Sequence, residues 1–591
     1  MFLRCSHRKK NGKDHRYWSI VENRRVADGR VTQRHVLYLG EINDTQERAW
    51  TRSIEVFADG EPKLQTVALF PEGRVAVAVD EASIVRLRLS ELSVHRPRQW
   101  GACWLALHLW KELRLDQFWM QRLPPSRKGT RWDQVLAVLT AYRLIAAGSE
   151  WRLHRQWFDS SAMADLLGAD FSVADTHTLY GCHDLLLAHK AALFAHLTER
   201  WRDLFNAQFD VLLYDLTSTY FESDPPFPDG DKRKFGYSRD KRPDCVQVVI
   251  ALIVTPDGFP LTHEVLSGNT SDKTTLREFL KKIETQYGKA RRIWVMDRGI
   301  PTEEVLAEMR AGDPPVQYLV GTPRGRLSKL EKDFLDKPWQ EVRPGVSVKL
   351  LPQEGELYVL ARSADRVAKE CSMRRRQLKW FWKRLQELQG MKLRREDLLM
   401  KLGAARQQAP RAWRLVEIEV DATQAMFTYR VRKDKLRQVR RREGRYLLRS
   451  NLTETDPAIV WNYYLQLVEV EQAFRNLKGD LAIRPIFHQD EARIEAHIFV
   501  SFLAYCLHVT LGRWLRDLAP GLTSRSVLEK FSAIQMVDVE IPTSDGRKLI
   551  LRRTTQPQAD LKLLLERMKL ELPPQPPPRI TIAPGQPEAS V

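Results

Sequence analysis

Val211-Leu-Leu-Tyr-Asp215-Leu-Thr217 is the stretch on which the reading of this chain turns. An apolar run of strand length arrives at an aspartate. The pattern recurs at Ile293-Trp-Val-Met-Asp297-Arg298. A third stretch, Tyr464 to Lys478, has helical apolar spacing and carries Glu471. Tyr464, Glu471 and Lys478 recur every seventh residue, so on an unbroken helix they share nearly one face, with Arg475 between. Taken singly, Glu471 reads as a solvated helix glutamate and the aspartates as turn or helix caps. As an ordered set they read as three carboxylates converging from two strands and a helix.

Composition narrows what such carboxylates meet. The 591 residues carry a net charge of +19 and a pI near 9.6. That excess favours a polyanion, because each neutralised phosphate releases condensed counterions. Hard divalent cations take oxygen ligands, and two of them about 3.5–4 Å apart can drive phosphodiester cleavage. Asp215, Asp297 and Glu471 are therefore the candidate metal ligands and catalytic residues, for Mg²⁺ or Mn²⁺, with two ions expected. Six scattered cysteines without a C-x-x-C pair argue against a disulfide framework or a cysteine zinc site. No stretch reads as a span of about 20 apolar residues, and the first residues lack a signal peptide's apolar centre. The expectation is a cytoplasmic protein without a membrane partner.

Along the chain, residues 1–60 read as a basic β-hairpin unit turning at Asp28-Gly29. Residues 61–205 read as a mainly helical, DNA-binding region. Its segment Glu150–Trp157 mixes aromatic and basic side chains, which suits either DNA contact or plain core aromatics. Residues 206–322 alternate three leading strands with helix–strand–helix–strand, the order of a ribonuclease-H-like core. Residues 323–455 read as an inserted helical and β subdomain containing the basic helix Val367–Gln407. In it, Arg374–Arg384 interleaves tryptophan with cations, and Arg437–Arg442 could be a hairpin tip on a phosphate backbone or a solvated turn. Residues 456–570 complete the core, and the Pro-rich residues 571–591 read as a disordered tail. His263 and His488 read as structural. The fold class is α/β: a ribonuclease-H-like catalytic core interrupted by a β-rich insertion, behind a helical N-terminal DNA-binding region.

Tyr464-x-x-Leu467-x-x-x-Glu471 continuing to Lys478 resembles the Tyr-(2)-Arg-(3)-Glu-(6)-Lys signature of IS4-type DDE transposases. Tyr214-Asp215-Leu-Thr-Ser and Met296-Asp297-Arg-Gly-Ile-Pro are similar to the two aspartate motifs of that family. Gly236–Arg242, Asp257–Pro260, Gly268–Asp272 and Arg484–His488 resemble its IS1634-like branch. One departure stands out: position 467 is leucine where the pattern has arginine, a residue expected on DNA phosphate. Arg475 or Arg298 could substitute. The resemblance implies cut-and-paste transposition of an insertion sequence through a hairpin intermediate. It implies double-stranded DNA partners (terminal inverted repeats and target), Tyr464 and Lys478 as contacts to end DNA, and a homodimer in a synaptic complex. It also implies a β-rich insertion between the second aspartate and the glutamate.

Three other readings share parts of this evidence. A ribonuclease-H-like nuclease without transposition would keep the triad and need no terminal repeats. A non-catalytic DNA-binding repressor from a decayed element would be expected to have lost part of the triad. Metal-free hydrolysis by paired carboxylates fits poorly with the basic balance.

Overall fold

The computed structural model describes the chain apart from residues 1, 11–12, 26–30, 42–45, 47–86, 128, 223–224, 226, 241, 271, 288–291, 298–299, 323–329, 331–332, 335, 354, 422–424, 455, 485, 545 and 581–591. Alternating apolar and polar residues open the chain as three antiparallel strands, β1 (Phe2–Lys10), β2 (Lys13–Arg25) and β3 (Val31–Gly40). A hairpin alone was expected. The first strand is hidden in sequence because basic residues occupy most of it. The expected Asp28-Gly29 turn lies outside the described residues.

The next region is mainly helical, but it begins with a strand, β4 (Ser93–Gln99). Helices α1 (Gly101–Glu112), α2 (Trp132–Ala146), α3 (Thr176–His183) and α4 (Lys190–Phe205) follow. In the segment Glu150–Trp157 the two tryptophans divide: Trp157 is buried, while Trp151 is exposed beneath the Arg155 guanidinium.

The core then assembles as its residue patterns dictate. β5 (Val211–Phe221), β6 (Val246–Val254) and β7 (Pro260–Ser267) form an antiparallel meander. Every residue of β6 is buried, which explains its unbroken apolar run. Gly258, at φ +87°, makes the turn from β6 to β7 that Pro256-Asp-Gly predicts. Helix α5 (Asp272–Tyr287) leads to β8 (Ile293–Met296), and α6 (Glu303–Ala311) leads to β9 (Gln317–Gly321). β8 lies parallel to β5, and β9 parallel to β8. The order β7-β6-β5-β8-β9 follows from these pairings.

The residues read as an inserted helical and β subdomain, 323–455, divide between the central sheet and a smaller packed group. β10 (Gln340–Arg343), β11 (Val346–Gln353), β12 (Glu356–Ser363) and, later, β15 extend the same sheet beyond β9. The sheet has nine strands among the described residues. Between β12 and β15 run α7 (Ala364–Gly390), α8 (Arg395–Gln408), β13 (Val416–Val420), β14 (Phe427–Val431) and α9 (Lys433–Arg442). β13 and β14 pair with each other and pack on α7 and α8 around Phe381, Leu385 and Leu402. Arg437–Arg442 is thus the end of a helix, not a hairpin tip. β15 (Arg445–Ser450) returns to lie between β12 and β9.

Three helices complete the core: α10 (Pro457–Leu465), α11 (Leu467–Lys478) and α12 (Glu491–Leu518). An 18-residue window of α12 has mean hydropathy 1.5, enough by length and composition to cross a membrane, contrary to the sequence expectation. However, 94% of that window is buried inside the protein. Beyond it, β16 (Gln535–Pro542), β17 (Lys548–Thr554) and β18 (Arg579–Ile580) form a sheet with β4, ordered β18-β17-β16-β4. The first part of the Pro-rich tail is therefore ordered. Proline lacks an amide N–H to offer a strand, and Gln575 supplies the pairing instead. Its side-chain oxygen accepts the Thr554 N–H at 2.8 Å, and its Nε2 donates to the Thr554 carbonyl at 3.1 Å. Residues 581–591 lie outside the described residues.

Candidate active site

Asp215 and Asp297 are set side by side by strand register. The parallel pairing of β5 with β8 runs from Val211↔Ile293 to Tyr214↔Met296, so the next residue on each strand is an aspartate. β8 ends there, and Asp297 is exposed just past it. Asp215 was expected at a strand end; instead β5 continues six residues beyond it, paired with β6, and Asp215 faces Leu252 there. It is half-buried, and its Oδ1 accepts the Leu216 N–H at 2.8 Å.

Glu471 arrives on α11. Leu467, Val470, Ala473, Phe474 and Leu477 are buried on one side of this helix, which packs against β5 and β6, and Glu471 is on the exposed side. The helix expected to run unbroken from Tyr464 to Lys478 is interrupted at Gln466, so Tyr464 belongs to α10. The one-face argument consequently holds for Glu471 and Lys478 but not for Tyr464. Tyr464 nevertheless reaches the same place. Asp297, Tyr464 and Glu471 all line one open cleft of about 830 Å³. Burial first, then the charge of Asp297, pushes the Tyr464 phenol up to about 12, with smaller contributions from Tyr446 and Glu471. The phenol therefore keeps its proton at neutral pH and can donate. The rings of Trp461 and Tyr446, with centroids 5.4 and 5.7 Å away, hold it in place.

The cleft is also lined by cations. α7 contributes Arg366, Lys369 and Arg374, and Arg442 and Arg445 come from α9 and β15. Arg366 donates to the Tyr446 hydroxyl at 3.0 Å and lies over its ring. Arg374 is tied to Glu443 at 2.6 Å and is less available. In the same helix Phe381 is buried and Trp382 packs on Tyr429, while Trp380 stays exposed. The interleaved aromatics thus mostly face inward. The basic patch on α7 was legible in sequence, but that it lines the same cleft as Asp297 and Glu471 was not.

Lys478 does not line the cleft. Its ammonium pairs with Asp240 at 2.7 Å, and Arg484 pairs with the same carboxylate. Burial lowers the Lys478 pKa, against the raising effect of Asp240. Asp240 was missed as a functional candidate, although it lies within the Gly236–Arg242 motif. That segment crosses the sheet at close quarters. A Cβ on Gly236 would sit 2.1 Å from the Gly268 carbonyl oxygen, and one on Gly268 would sit 1.9 Å from that of Gln247. Both motif glycines are required by this approach. Arg475 is exposed near the end of α11. Arg298 lies outside the described residues. Leu467 is 9% exposed and turns into the core.

His263 is stacked on Phe502 in the core, at 3.9 Å between ring centroids. The carboxylates of Asp215, Asp297 and Glu471 are not within mutual contact range. Among the described residues, three ligand atoms approach within 4.8 Å of one another only at Glu150, His488 and His497.

Comparison with known proteins adds the family. Residues 3–62 match the IS1634 family transposase N-terminal domain, and residues 207–507 match the transposase DDE domain. No curated protein matches. Among solved structures, the chain is similar to the piggyBac transposase in a cryo-EM structure of its synaptic complex with hairpin DNA. That likeness is 8% identical with a TM-score of 0.34, over 73% of this chain and 79% of that one. DDE transposase domains work with divalent metal ions. The DDE match alone spans about half of the chain and takes in both aspartates and the glutamate, and the chain accordingly belongs to the IS1634-like DDE transposases, insertion-sequence enzymes that act on DNA.

Proposed function

We propose that Asp215, Asp297 and Glu471 are the catalytic carboxylates of a ribonuclease-H-like core that cleaves and joins the ends of its own element. One observation carries the reading: the β5–β8 register brings the two aspartates onto neighbouring strands, and Asp297 shares a cleft with Glu471. The donor set fits hard divalent ions, since it is all oxygen and free of histidine or cysteine. Asp215, Asp297 and Glu471 would hold two Mg²⁺ or Mn²⁺ ions. Such ions, when bound, activate the attacking water or 3′ hydroxyl and stabilise charge on the leaving oxygen.

The chain's own residues supply the rest. The protonated Tyr464 phenol donates a hydrogen bond to a phosphate oxygen of the element end. Lys369 and Arg366 line the same cleft as Asp297 and Glu471 and neutralise the DNA backbone bound in it. Arg475, Lys478 and Arg298 contact end DNA further along. Lys478 would exchange Asp240 for a phosphate, and its lowered pKa marks an ammonium already partly stripped of water. Terminal inverted repeats and target DNA are the substrates, a hairpin the intermediate, and a homodimer the synaptic unit.

The test uses purified protein, DNA bearing the element's own ends, and Mg²⁺ or Mn²⁺. Asp215→Asn, Asp297→Asn and Glu471→Gln should each retain end binding and lose cleavage by at least 10²-fold, consistent with loss of metal ligation. Full cleavage in any of the three, or in EDTA, would falsify the assignment. Joined products separate a transposase from a simple nuclease.

A further inference from the structure

We propose a second metal site, distinct from the three carboxylates in ligand chemistry: a buried centre at Glu150, His488 and His497, with His183 beside it, for a borderline transition metal such as Zn²⁺. Glu150 opens the short helical turn after α2, and His183 ends α3. His488 lies in the link between α11 and α12, and His497 lies on α12. All four are buried, none more than 8% exposed.

One ligand atom from each of Glu150, His488 and His497 lies within 4.8 Å of the other two, and His183 borders this group without joining it. Glu150 Oε1 lies 3.2 Å from His497 Nδ1, 3.4 Å from His183 Nε2 and 3.5 Å from His488 Nε2. Zinc–nitrogen and zinc–oxygen bonds of about 2.0–2.1 Å place tetrahedral ligands about 3.3–3.4 Å apart, and the distances from Glu150 Oε1 to His497 and His488 fall near that spacing. They are long for hydrogen bonds to a carboxylate. Indeed, His183 Nε2 and His488 Nε2 have no hydrogen-bond partner, and neither does His183 Nδ1. Buried polar atoms normally find partners, and a bound cation would supply one for His488 Nε2.

Arg143 is the competing occupant. Its Nη2 lies 3.6 Å from the same Oε1 and 3.5 Å from His497 Nδ1, while Nη1 donates to the Ala482 carbonyl at 3.0 Å. Three imidazoles remain around the carboxylate beyond what that ion pair uses. Two imidazoles with one carboxylate suit zinc, whereas the all-oxygen triad suits magnesium. The centre would clamp helices of the N-terminal region to α12, joining segments more than 300 residues apart in sequence.

The experiment uses untagged full-length protein, with Asp215→Asn, Asp297→Asn and Glu471→Gln combined so that the triad's own metal does not count. Elemental analysis should find one zinc per chain. Exchange with Co²⁺ should give the strong visible absorption of a tetrahedral site, and His488→Gln or His497→Gln should abolish it. Removing the zinc with 1,10-phenanthroline should lower the thermal midpoint, and added Zn²⁺ should restore it. A folded chain with no zinc, no cobalt absorption and no response to the chelator overturns the site and leaves a Glu150–Arg143 ion pair among neutral histidines. Because no step reads DNA cleavage, failure here is distinguishable from failure of the catalytic assignment.

Discussion

Asp297 stands in the open at the end of its strand, whereas Leu467, four residues before Glu471, is turned into the core. That contrast decides what each position tolerates. An arginine at 467 fits the family pattern, but here it would bring an unpaired guanidinium into apolar packing. Leu467→Arg should lower stability by about 3 kcal/mol or more, the scale of an uncompensated buried charge. Urea unfolding would show it, and a stable variant with tighter end binding would contradict the packing reading. Tyr464 gives a second expectation at this scale. With its pKa near 12, the phenol stays protonated across ordinary assay conditions. Tyr464→Phe should therefore weaken cleavage while leaving the neutral-to-alkaline pH profile of the remaining activity unchanged. A pH-dependent step that vanishes in Tyr464→Phe would show that the hydroxyl titrates in the working range.

At the scale of elements, residues of two helices, α11 and α7, line the cleft. α11 presents Glu471 because its apolar stripe is spent on β5 and β6. α7 presents Arg366 and Lys369 there because its N-terminus springs directly from β12, a strand added to the same sheet beyond β9. The extended sheet thus brings a basic helix to the cleft that Asp297 and Glu471 line. Lys369→Ala should weaken binding to any DNA and reduce the slope of log affinity against log salt by about 1, the signature of one lost phosphate contact. Lys478→Ala should weaken binding to element ends in the same manner. Unchanged salt slopes, measured by titration at several ionic strengths, would remove either contact from the interface.

Across the whole molecule, the beginning and the end of the chain close on each other. β4 pairs with β16 across 435 or more residues of sequence, and a charge cluster holds the joint. Arg98, 1% exposed, pairs with Asp538 at 2.9 Å and with Asp165 at 2.8 Å, and Arg552 adds a further contact to Asp538. Burial raises the Asp538 pKa, but Arg98 and Arg552 outweigh it, and the carboxyl sits below its ordinary value. The folded state therefore prefers the ionised form. Its stabilisation is present above the unfolded carboxylate value of about 3.9 and is lost as pH falls through the lower folded value. Asp538→Asn should cost ~3 kcal/mol at neutral pH and flatten the acid limb of the stability curve. Equal stability of the two proteins at neutral pH would show that the cluster does not hold the ends together.

What the amino-acid order determined by itself was local and periodic. Strand-length apolar runs ending at Asp215 and Asp297, the buried run of β6, the turn at Gly258 and the amphipathic α11 are all properties of a few neighbouring residues, set by side-chain period and backbone permissiveness. Tertiary structure alone decided the rest, because it depends on which distant segments share an interface. Nothing near Arg445–Ser450 says that this strand fits between β12 and β9, nor does Ser93–Gln99 announce its partner more than 430 residues away. Helical spacing ran through Gln466 without revealing the break that separates Tyr464 from Glu471. Likewise, a glutamate and three histidines, spread from 150 to 497, became neighbours only when the helices packed. Pairing and packing are settled by the whole buried surface, and that surface does not exist until the chain has folded.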